Sequence, residues 1–187
     1  KFAVKLLYDV NLPSPNRTCS FWLNVIPIDT ACKFFVDVDT SLVTDLEPDN
    51  IPVEMVLAES HTLLTKALDL VRSAMSSLRN PPPSAAIDEY VLNTCRRKKG
   101  DKYVLSYHMI WPRLRVASNH MVMRNLYNHM GILSNGDADR FKYHGQNVFD
   151  SKMTSKNRCL RGVFAFKKGA DTNDKVNMVR PVDNDFN

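Results

Sequence analysis

The chain has 187 residues, of which 44% are apolar, 24% are charged and 6 are Gly. This composition fits one ordinary globular domain, or two small lobes that share a core, and it excludes collagen, coiled coils and wholesale disorder. No apolar run approaches the ~20 residues of a membrane-spanning helix, so we expect no membrane partner.

Charge is unevenly distributed along the chain, whose net charge is +5. Residues 1–90 hold 7 Lys and Arg against 12 Asp and Glu, whereas residues 91–187 hold 18 against 8. We expect a single domain over residues 1–187, or an acidic lobe over about 1–80 and a basic lobe over about 85–187. A basic surface favours a polyanionic partner and embedded carboxylates favour a divalent cation, although solvated faces of opposite sign remain the alternative.

The first half of the chain predicts two strands and one long helix. Residues 21–27 and 32–39 are short runs of aromatic and β-branched residues, and we expect these two strands to be neighbours. Apolar residues then recur at helical spacing from Pro52 to about Arg79. Three prolines at 81–83 stop this helix and mark a lobe boundary or a loop.

The second half predicts a hairpin, a helix and a last strand. Residues 90–95 and 103–111 read as the two strands of the hairpin, with a basic turn between them. Ser118 and Gly131 are suitable caps for a helix, residues 132–149 form a polar loop, and residues 160–166 form a strand. Strands and helices in this mixed order predict an α+β or mixed α/β fold rather than a regular parallel wind.

The strongest local motif is the segment FFVDVD at residues 34–39. Because side chains alternate along a strand, Asp37 and Asp39 project on the same side. Two carboxylates so placed repel each other unless a cation lies between them, and Mg²⁺ or Mn²⁺ prefers such oxygen ligands. The alternative is a pair of solvated acids at an exposed strand end.

Two further motifs follow it. Ser106 and His108 share one face of the predicted strand 103–111, where they can bind a phosphate or form ordinary hydrogen bonds within a sheet. Asp150 precedes a basic run that includes Arg158, Arg161 and Lys167. The acid can complete a metal site while the cations that follow it bind a triphosphate. The alternative is that this segment is an ordinary basic surface strand.

The remaining cysteines and histidines show no ligand spacing. We expect reduced thiols and no zinc site, because the four cysteines are scattered, and we expect the four other histidines to be structural or surface residues. The cysteines are Cys19, Cys32, Cys95 and Cys159, and the histidines are His61, His120, His129 and His144. Because the chain begins at Lys1, we also expect it to be a piece of a longer protein.

Together, the three motifs resemble the archaeo-eukaryotic primases, most closely the eukaryotic and large-DNA-virus primase-polymerases. The family pattern is an apolar strand ending in Asp-x-Asp or Asp-x-Glu, a later Ser-x-His, and a third acid leading into Asn-Arg-x-x-Arg with trailing lysines. Here Asn157 follows Asp150 by seven residues, and Lys102 is the nearest candidate for the lysine that often precedes Ser-x-His. The resemblance covers about residues 18–170 and implies a primase-type catalytic core with a mixed, RRM-like sheet flanked by helices.

The resemblance also implies a division of roles. Asp37, Asp39 and Asp150 would hold two Mg²⁺ or Mn²⁺ ions. The nucleotide-binding residues would be Ser106, His108, Arg158, Arg161 and Lys167. Basic residues of the 96–102 turn are candidates for contacts with the template backbone.

The implied function is a template-dependent nucleotidyltransferase that synthesises primers on single-stranded DNA from nucleoside triphosphates. The alternatives are the primase subunit of a viral helicase-primase, a non-catalytic module that binds single-stranded nucleic acid, and a metal-dependent nuclease. A helicase or a single-strand-binding protein is the expected protein partner. The expected location is intracellular, in the nucleus, a viral replication site or the mitochondrion.

Overall fold

The computed structural model describes residues 23–26, 31–94, 97–131, 142–154, 158–161 and 179–182. The strands are β1 (Leu23–Ile26), β2 (Cys32–Ser41), β3 (Val91–Thr94), β4 (Arg97–Lys99), β5 (Lys102–Val116), β6 (Lys142–Tyr143), β7 (Gln146–Asn147), β8 (Arg158–Arg161) and β9 (Arg180–Pro181). The α-helices are α1 (Val53–Ser76), α2 (Ser84–Asp88) and α3 (Arg124–His129). Pro48–Asn50 and Ser151–Thr154 form 3₁₀ turns, and Asn119–Met123 form a π-helical turn. The described chain is therefore α+β.

The central sheet has the strand order β2-β5-β3-β9, and β4 pairs with the beginning of β5. We expected a mixed sheet, but each pairing between described strands is antiparallel. Strand β5 is 15 residues long and lies between β2 and β3. The predicted hairpin is confirmed by the pairing of β3 and β4 with β5. The turn before β5 contains Gly100, whose φ of 59° suits glycine.

The pairing of β2 with β5 is interrupted once, next to a proline. Phe34 pairs with Trp111, whereas the preceding Lys33 pairs with Arg115, so β5 carries additional residues at this point. Pro112 lies within this irregular stretch and has no N–H to donate to a ladder. From Phe34 onward, the register of β2 against β5 is continuous to Ser41. This continuous part carries both acids of the first motif.

Helix α1 packs on one face of the sheet because its apolar residues recur every three or four positions. Its buried residues are Val56, Ser60, Leu63, Leu64, Ala67, Leu68, Val71, Ala74 and Met75. Leu63 is fully buried, and burial of one such side chain contributes roughly 1.5–3 kcal/mol. Tyr107 on β5 donates a hydrogen bond to Ser60 Oγ, which donates to the carbonyl of Val56. The face of β5 that carries Tyr107 is thus joined to the helix.

The C-terminal end of α1 is also fixed. The predicted helix extended to about Arg79, and the structure ends it at Ser76. His129, the last residue of α3, places Nε2 2.8 Å from Ser77 Oγ and 3.0 Å from the carbonyl oxygen of Ala74. A histidine therefore contacts the carbonyl end of α1, where polar or cationic groups stabilise a helix.

The predicted helix beginning at Ser118 is present, but its first turn is π-helical. Ser118 Oγ accepts a hydrogen bond from the N–H of Met121 at 3.2 Å, as expected of a helix cap. The helix ends next to Gly131, which has a φ of 78°. Both predicted ends of this helix are therefore confirmed.

The prediction that the first two strands are neighbours was wrong. Strand β1 pairs with β8, from Leu23 opposite Arg161 to Ile26 opposite Arg158, whereas β2 pairs with β5. Sequence patterns identify strands, but they carry little information about which strands pair across long separations. Of the predicted last strand, only its start lies in β8, since residues 162–166 lie outside the described residues.

One hydrophobic cluster includes buried residues from both the acidic and the basic part of the chain, such as Phe34 and Leu63 from the former and Leu105 and Trp111 from the latter. Phe34 and Trp111 pack with their ring centroids 5.1 Å apart. Among the described helices, none combines the length and the apolar composition needed to cross a membrane.

Candidate functional site

Asp37 and Asp39 lie on the face of β2 opposite to the residues that pack towards α1. In the antiparallel ladder, Asp37 is paired with His108 and Asp39 with Ser106. Paired residues of an antiparallel ladder project on the same side, with Cα atoms about 4.5–5.5 Å apart. The structure therefore places the first two sequence motifs side by side, residue against residue.

The contact between Asp37 and His108 is largely buried. His108 Nε2 lies 3.9 Å from Asp37 Oδ1, and the two side chains are 3% and 16% exposed. Ser106 is also buried, with 1% of its surface exposed. A buried carboxylate is costly unless positive charge or hydrogen-bond donors surround it, and His108 can supply both. Asp37 and Asp39 are partly exposed to solvent, whereas Ser106 and His108 are buried.

Asp150 reaches the same face along the other edge of β2. The N–H of Asp150 donates to the carbonyl of Asp37 at 3.0 Å, and the N–H of Asp39 donates to the carbonyl of Val148 at 2.7 Å. Val38 and Phe149 form the bridge between these two hydrogen bonds. By alternation, Asp150 and Asp37 project on one side while Phe149 and Val38 project on the other. Backbone pairing thus brings the third acid next to the first.

Electrostatic effects on Tyr127 support this proximity. The Tyr127 hydroxyl donates to the carbonyl of Phe35 at 2.9 Å and is fully buried. Burial raises the pKa of Tyr127 well above its ordinary value, and the negative charges of Asp37 and Asp150 raise it further. Both carboxylates therefore act on the same buried phenol, which comes from α3.

The three acids share one face at short backbone spacing. Asp37 and Asp39 are two residues apart on one strand, so their Cα atoms are about 6.6 Å apart. Carboxylates placed in this way repel each other unless positive charge lies near them. Asp150 adds a third carboxylate, whose Oδ1 accepts a hydrogen bond from the N–H of Lys152 at 2.9 Å. Cations close to this face would relieve the repulsion.

Sequence reasoning missed two polar residues of this region. Asn93 on β3 is paired with His108 and is 7% exposed, so one row runs from Asp150, in the segment bridged to β2, across three strands through Asp37, His108 and Asn93. In the sequence, a polar residue between Leu92 and Thr94 is only a weak signal that Asn93 belongs to this region, because the register of β3 against β5 could not be predicted. Gln146 was the second, and nothing in its sequence context distinguishes it from other loop residues.

An open cleft lies at the end of β2. Its volume is about 410 Å³, and it is lined by Asp39, Thr40, Ser41, Lys99, Asp101, Lys102, Val104 and Gln146. Two lysines of the predicted basic turn thus share a cleft with one of the predicted metal ligands. Both lysines are exposed, so their ammonium groups are accessible to an anion.

Only part of the third motif lies within the described residues. Arg158 and Arg161 lie at the two ends of β8, and the backbone of this strand pairs with β1. Asn157 and Lys167 lie outside the described residues. The structure therefore brings together Asp37, Asp39, Asp150, Ser106 and His108, but gives no side-chain contact for the cationic part of the predicted site.

The donor chemistry of the site fits a hard divalent cation, because its three acids share one face and offer only carboxylate oxygens. Within the described ranges, however, no three His, Cys, Asp or Glu side chains are grouped so as to hold one ion. The three acids are therefore brought to one face by backbone pairing. Asp37, Asp39 and Asp150 are the residues that would hold Mg²⁺ or Mn²⁺.

The other histidines with described contacts lie outside this row. His120 Nδ1 lies 3.1 Å from the carbonyl oxygen of Thr154, and His144 contacts Glu59. Burial raises the pKa of the Cys32 thiol, which is free. The other three cysteines lie at positions whose side chains are outside the described part of the chain.

Comparison of the sequence with protein-family models finds no matching family, and comparison with curated proteins finds no similar sequence.

Proposed function

We propose that the chain is the catalytic core of a template-dependent nucleotidyltransferase that makes primers on single-stranded DNA and extends them. The observation that supports this proposal most is the row formed by Asp150, Asp37 and His108 on one sheet face, with Asp39 and Ser106 beside it. Residues from three separate sequence motifs meet there, which supports the proposal that they act together. Apolar packing alone gives no reason to place three acids together.

Each residue has a role in this proposal. Asp37, Asp39 and Asp150 would hold two Mg²⁺ or Mn²⁺ ions, and the chemistry that such ions would supply is activation of a hydroxyl and neutralisation of phosphate charge. His108 keeps Asp37 oriented through the contact between Nε2 and Oδ1. Following the family pattern, Ser106 and His108 would contact the nucleotide phosphates.

The cations contribute on the solvent side. Lys99 and Lys102 line the cleft next to Asp39, where they bind a phosphate of the template or of the nucleotide. Arg158, Arg161 and Lys167 are proposed to hold the triphosphate, following the family pattern. In phosphoryl transfer, such positioning and charge neutralisation supply most of the catalysis.

The partners and location are also part of the proposal. The substrates are a single-stranded DNA template and nucleoside triphosphates, with a helicase or a single-strand-binding protein acting nearby. An enzyme with these substrates works inside the cell, in the nucleus, at a viral replication site or in the mitochondrion. The primase subunit of a viral helicase-primase uses the same chemistry.

A second function is favoured by one observation. Because the acids of the described chain are not grouped around a single ion position, a non-catalytic module that binds single-stranded nucleic acid is the alternative. Such a module would use Lys99, Lys102 and their neighbours without any need for a divalent metal.

One experiment separates the candidates. The protein is incubated with a single-stranded DNA template, labelled nucleoside triphosphates and Mn²⁺, and the products are resolved by length. The proposal expects products built from the labelled triphosphates, and it expects Asp37→Asn and Asp39→Asn to abolish them. Asp45→Asn is the matched control, since Asp45 is an exposed carboxylate shortly after β2. Shortened template would indicate a nuclease, and template binding without any product would indicate the non-catalytic module.

A further inference from the structure

A carboxylate on α1 holds the hairpin formed by β6 and β7. The Tyr143 hydroxyl donates to Glu59 Oε2 at 2.5 Å, and His144 Nε2 lies 3.2 Å from the same oxygen. Tyr143 is 4% exposed, and Lys66 Nζ lies 5.3 Å from the centroid of its ring. We call Glu59, Tyr143 and His144 the clasp. It joins two parts of the chain that are 84 residues apart.

The hairpin needs such an anchor because of its size and backbone conformation. Each of its strands has two residues, and hairpins much longer than this are only marginally stable in isolation. Its turn contains two consecutive residues in the left-handed region, His144 with a φ of 48° and Gly145 with a φ of 74°. This region is unfavourable for a residue with a Cβ such as histidine. The His144 side chain in this turn contacts Glu59.

The chain that leaves the hairpin runs directly along β2 to Asp150. Gln146 Oε1 accepts hydrogen bonds from the N–H of Ser41 and the hydroxyl of Thr40, both at 3.2 Å. Val148 and Asp150 then make the two backbone hydrogen bonds with Asp39 and Asp37. The path from the clasp to Asp150 is therefore six or seven residues of chain that is hydrogen-bonded to β2.

We propose that Glu59 is a positioning residue for Asp150: by fixing Tyr143 and His144, it holds the outgoing strand of the hairpin against β2 and so keeps the third acid beside Asp37. This inference deepens the proposed function and rests on it for the metal-binding role of Asp150. The backbone part of the inference is independent of that function.

Hydrogen exchange tests the backbone part. In Glu59→Ala, we expect the amides of Asp39 and Asp150 to exchange at least about 10-fold faster, while the amides between β3 and β5 keep their protection. Tyr143→Phe, which keeps the ring and removes only the hydroxyl, should show the same pattern more weakly. Glu54→Ala is the matched control, because Glu54 is an exposed acid in the first turn of the same helix. Unchanged exchange at Asp39 and Asp150, or equal loss of protection throughout the sheet, would overturn the proposal.

A double-mutant cycle with Mn²⁺ as the probe tests the link to the metal. Glu59→Ala should weaken Mn²⁺ binding about 10-fold in the otherwise unchanged protein, and should have no further effect in Asp150→Ala. Equal weakening in both backgrounds would show that Glu59 does not act through Asp150 and would overturn the inference alone. If Asp37→Asn leaves Mn²⁺ binding unchanged, the proposed function fails, and with it the metal part of the inference.

Discussion

His108 lies directly across the ladder from Asp37, with Nε2 3.9 Å from Oδ1 and both side chains largely buried. This pairing joins the sequence motif FFVDVD to the motif that contains Ser106 and His108. If the proposed function is correct, His108→Ala should lower primer synthesis at least 100-fold, because the proposed site requires a correctly placed Asp37. The same change leaves a buried carboxylate with one neighbour fewer, which costs about 1–3 kcal/mol of folding free energy. Product formation and denaturant unfolding measure the two effects.

His61→Ala is the control for the His108 variant, since His61 is exposed on α1. Its synthesis rate and unfolding free energy should remain close to those of the unmodified chain. A His108→Ala protein that retains full synthesis would remove His108 from the site.

Alkaline pH should weaken the fold through Tyr143. Burial, followed by the hydrogen bond to Glu59, raises the pKa of Tyr143 from 10.0 to about 12. Above pH 10 the unfolded chain loses this proton while the folded chain retains it, so the stability contributed by Tyr143 is lost as the pH rises from 10 towards 12. Unfolding free energies measured from pH 9 to 12 should therefore fall less steeply for Tyr143→Phe.

The same contact should also lose stability at acidic pH, through Glu59. The hydrogen bond from Tyr143 lowers the pKa of Glu59 below its ordinary value of 4.5. The stabilisation from ionised Glu59 is present above that ordinary value and is lost as the pH falls through the lowered one. Glu59→Gln should flatten this part of the stability profile. An unchanged profile in both variants would contradict the clasp.

Template binding should depend on salt through the cleft lysines. If Lys102 contacts one phosphate, Lys102→Ala should reduce the slope of log K against log[salt] by about 0.7 for single-stranded DNA. Lys99→Ala should have a similar effect, because Lys99 lines the same cleft. Lys33→Ala, an exposed lysine at the start of β2, provides the comparison, and its slope should not change. Fluorescence anisotropy of a labelled oligonucleotide over a range of salt concentrations measures these slopes.

The histidine at the end of α1 has a structural role. His129→Ala removes the contacts of Nε2 with Ser77 Oγ and the carbonyl of Ala74, and should destabilise the fold by about 0.5–1 kcal/mol. Thermal unfolding measures the loss. Primer synthesis by the folded protein should be unaffected, because His129 lies outside the row of acids. A selective loss of synthesis would assign His129 to the site instead.

Local periodicity predicted the parts of the fold that depend on neighbouring residues. Alternation in FFVDVD correctly placed Asp37 and Asp39 on one face, and the caps Ser118 and Gly131 marked the ends of a helix. The spacing of apolar residues in α1 predicted its buried face. Each of these features is decided within a few residues of chain.

Long-range pairing was beyond such reasoning. Asp37 and His108 are separated by α1 and by three further strands or helices, so their register depends on how the helix packs and on the irregularity next to Pro112. For the same reason the partner of β1 was predicted wrongly. The contact of Glu59 with Tyr143 could not be predicted from the local sequence around either residue. A single acid in a helix has the same sequence pattern whether its side chain is solvated or bound to a distant residue.

The behaviour of Asp150→Asn tests the central claim most directly, because only the fold brings this residue next to Asp37. The measurement is Mn²⁺-dependent synthesis of primers on single-stranded DNA, with circular dichroism to confirm that the variant is folded. We expect synthesis to fall at least 1000-fold relative to the unmodified chain. A folded Asp150→Asn protein that makes primers at the normal rate would contradict the claim that three acids form one catalytic site.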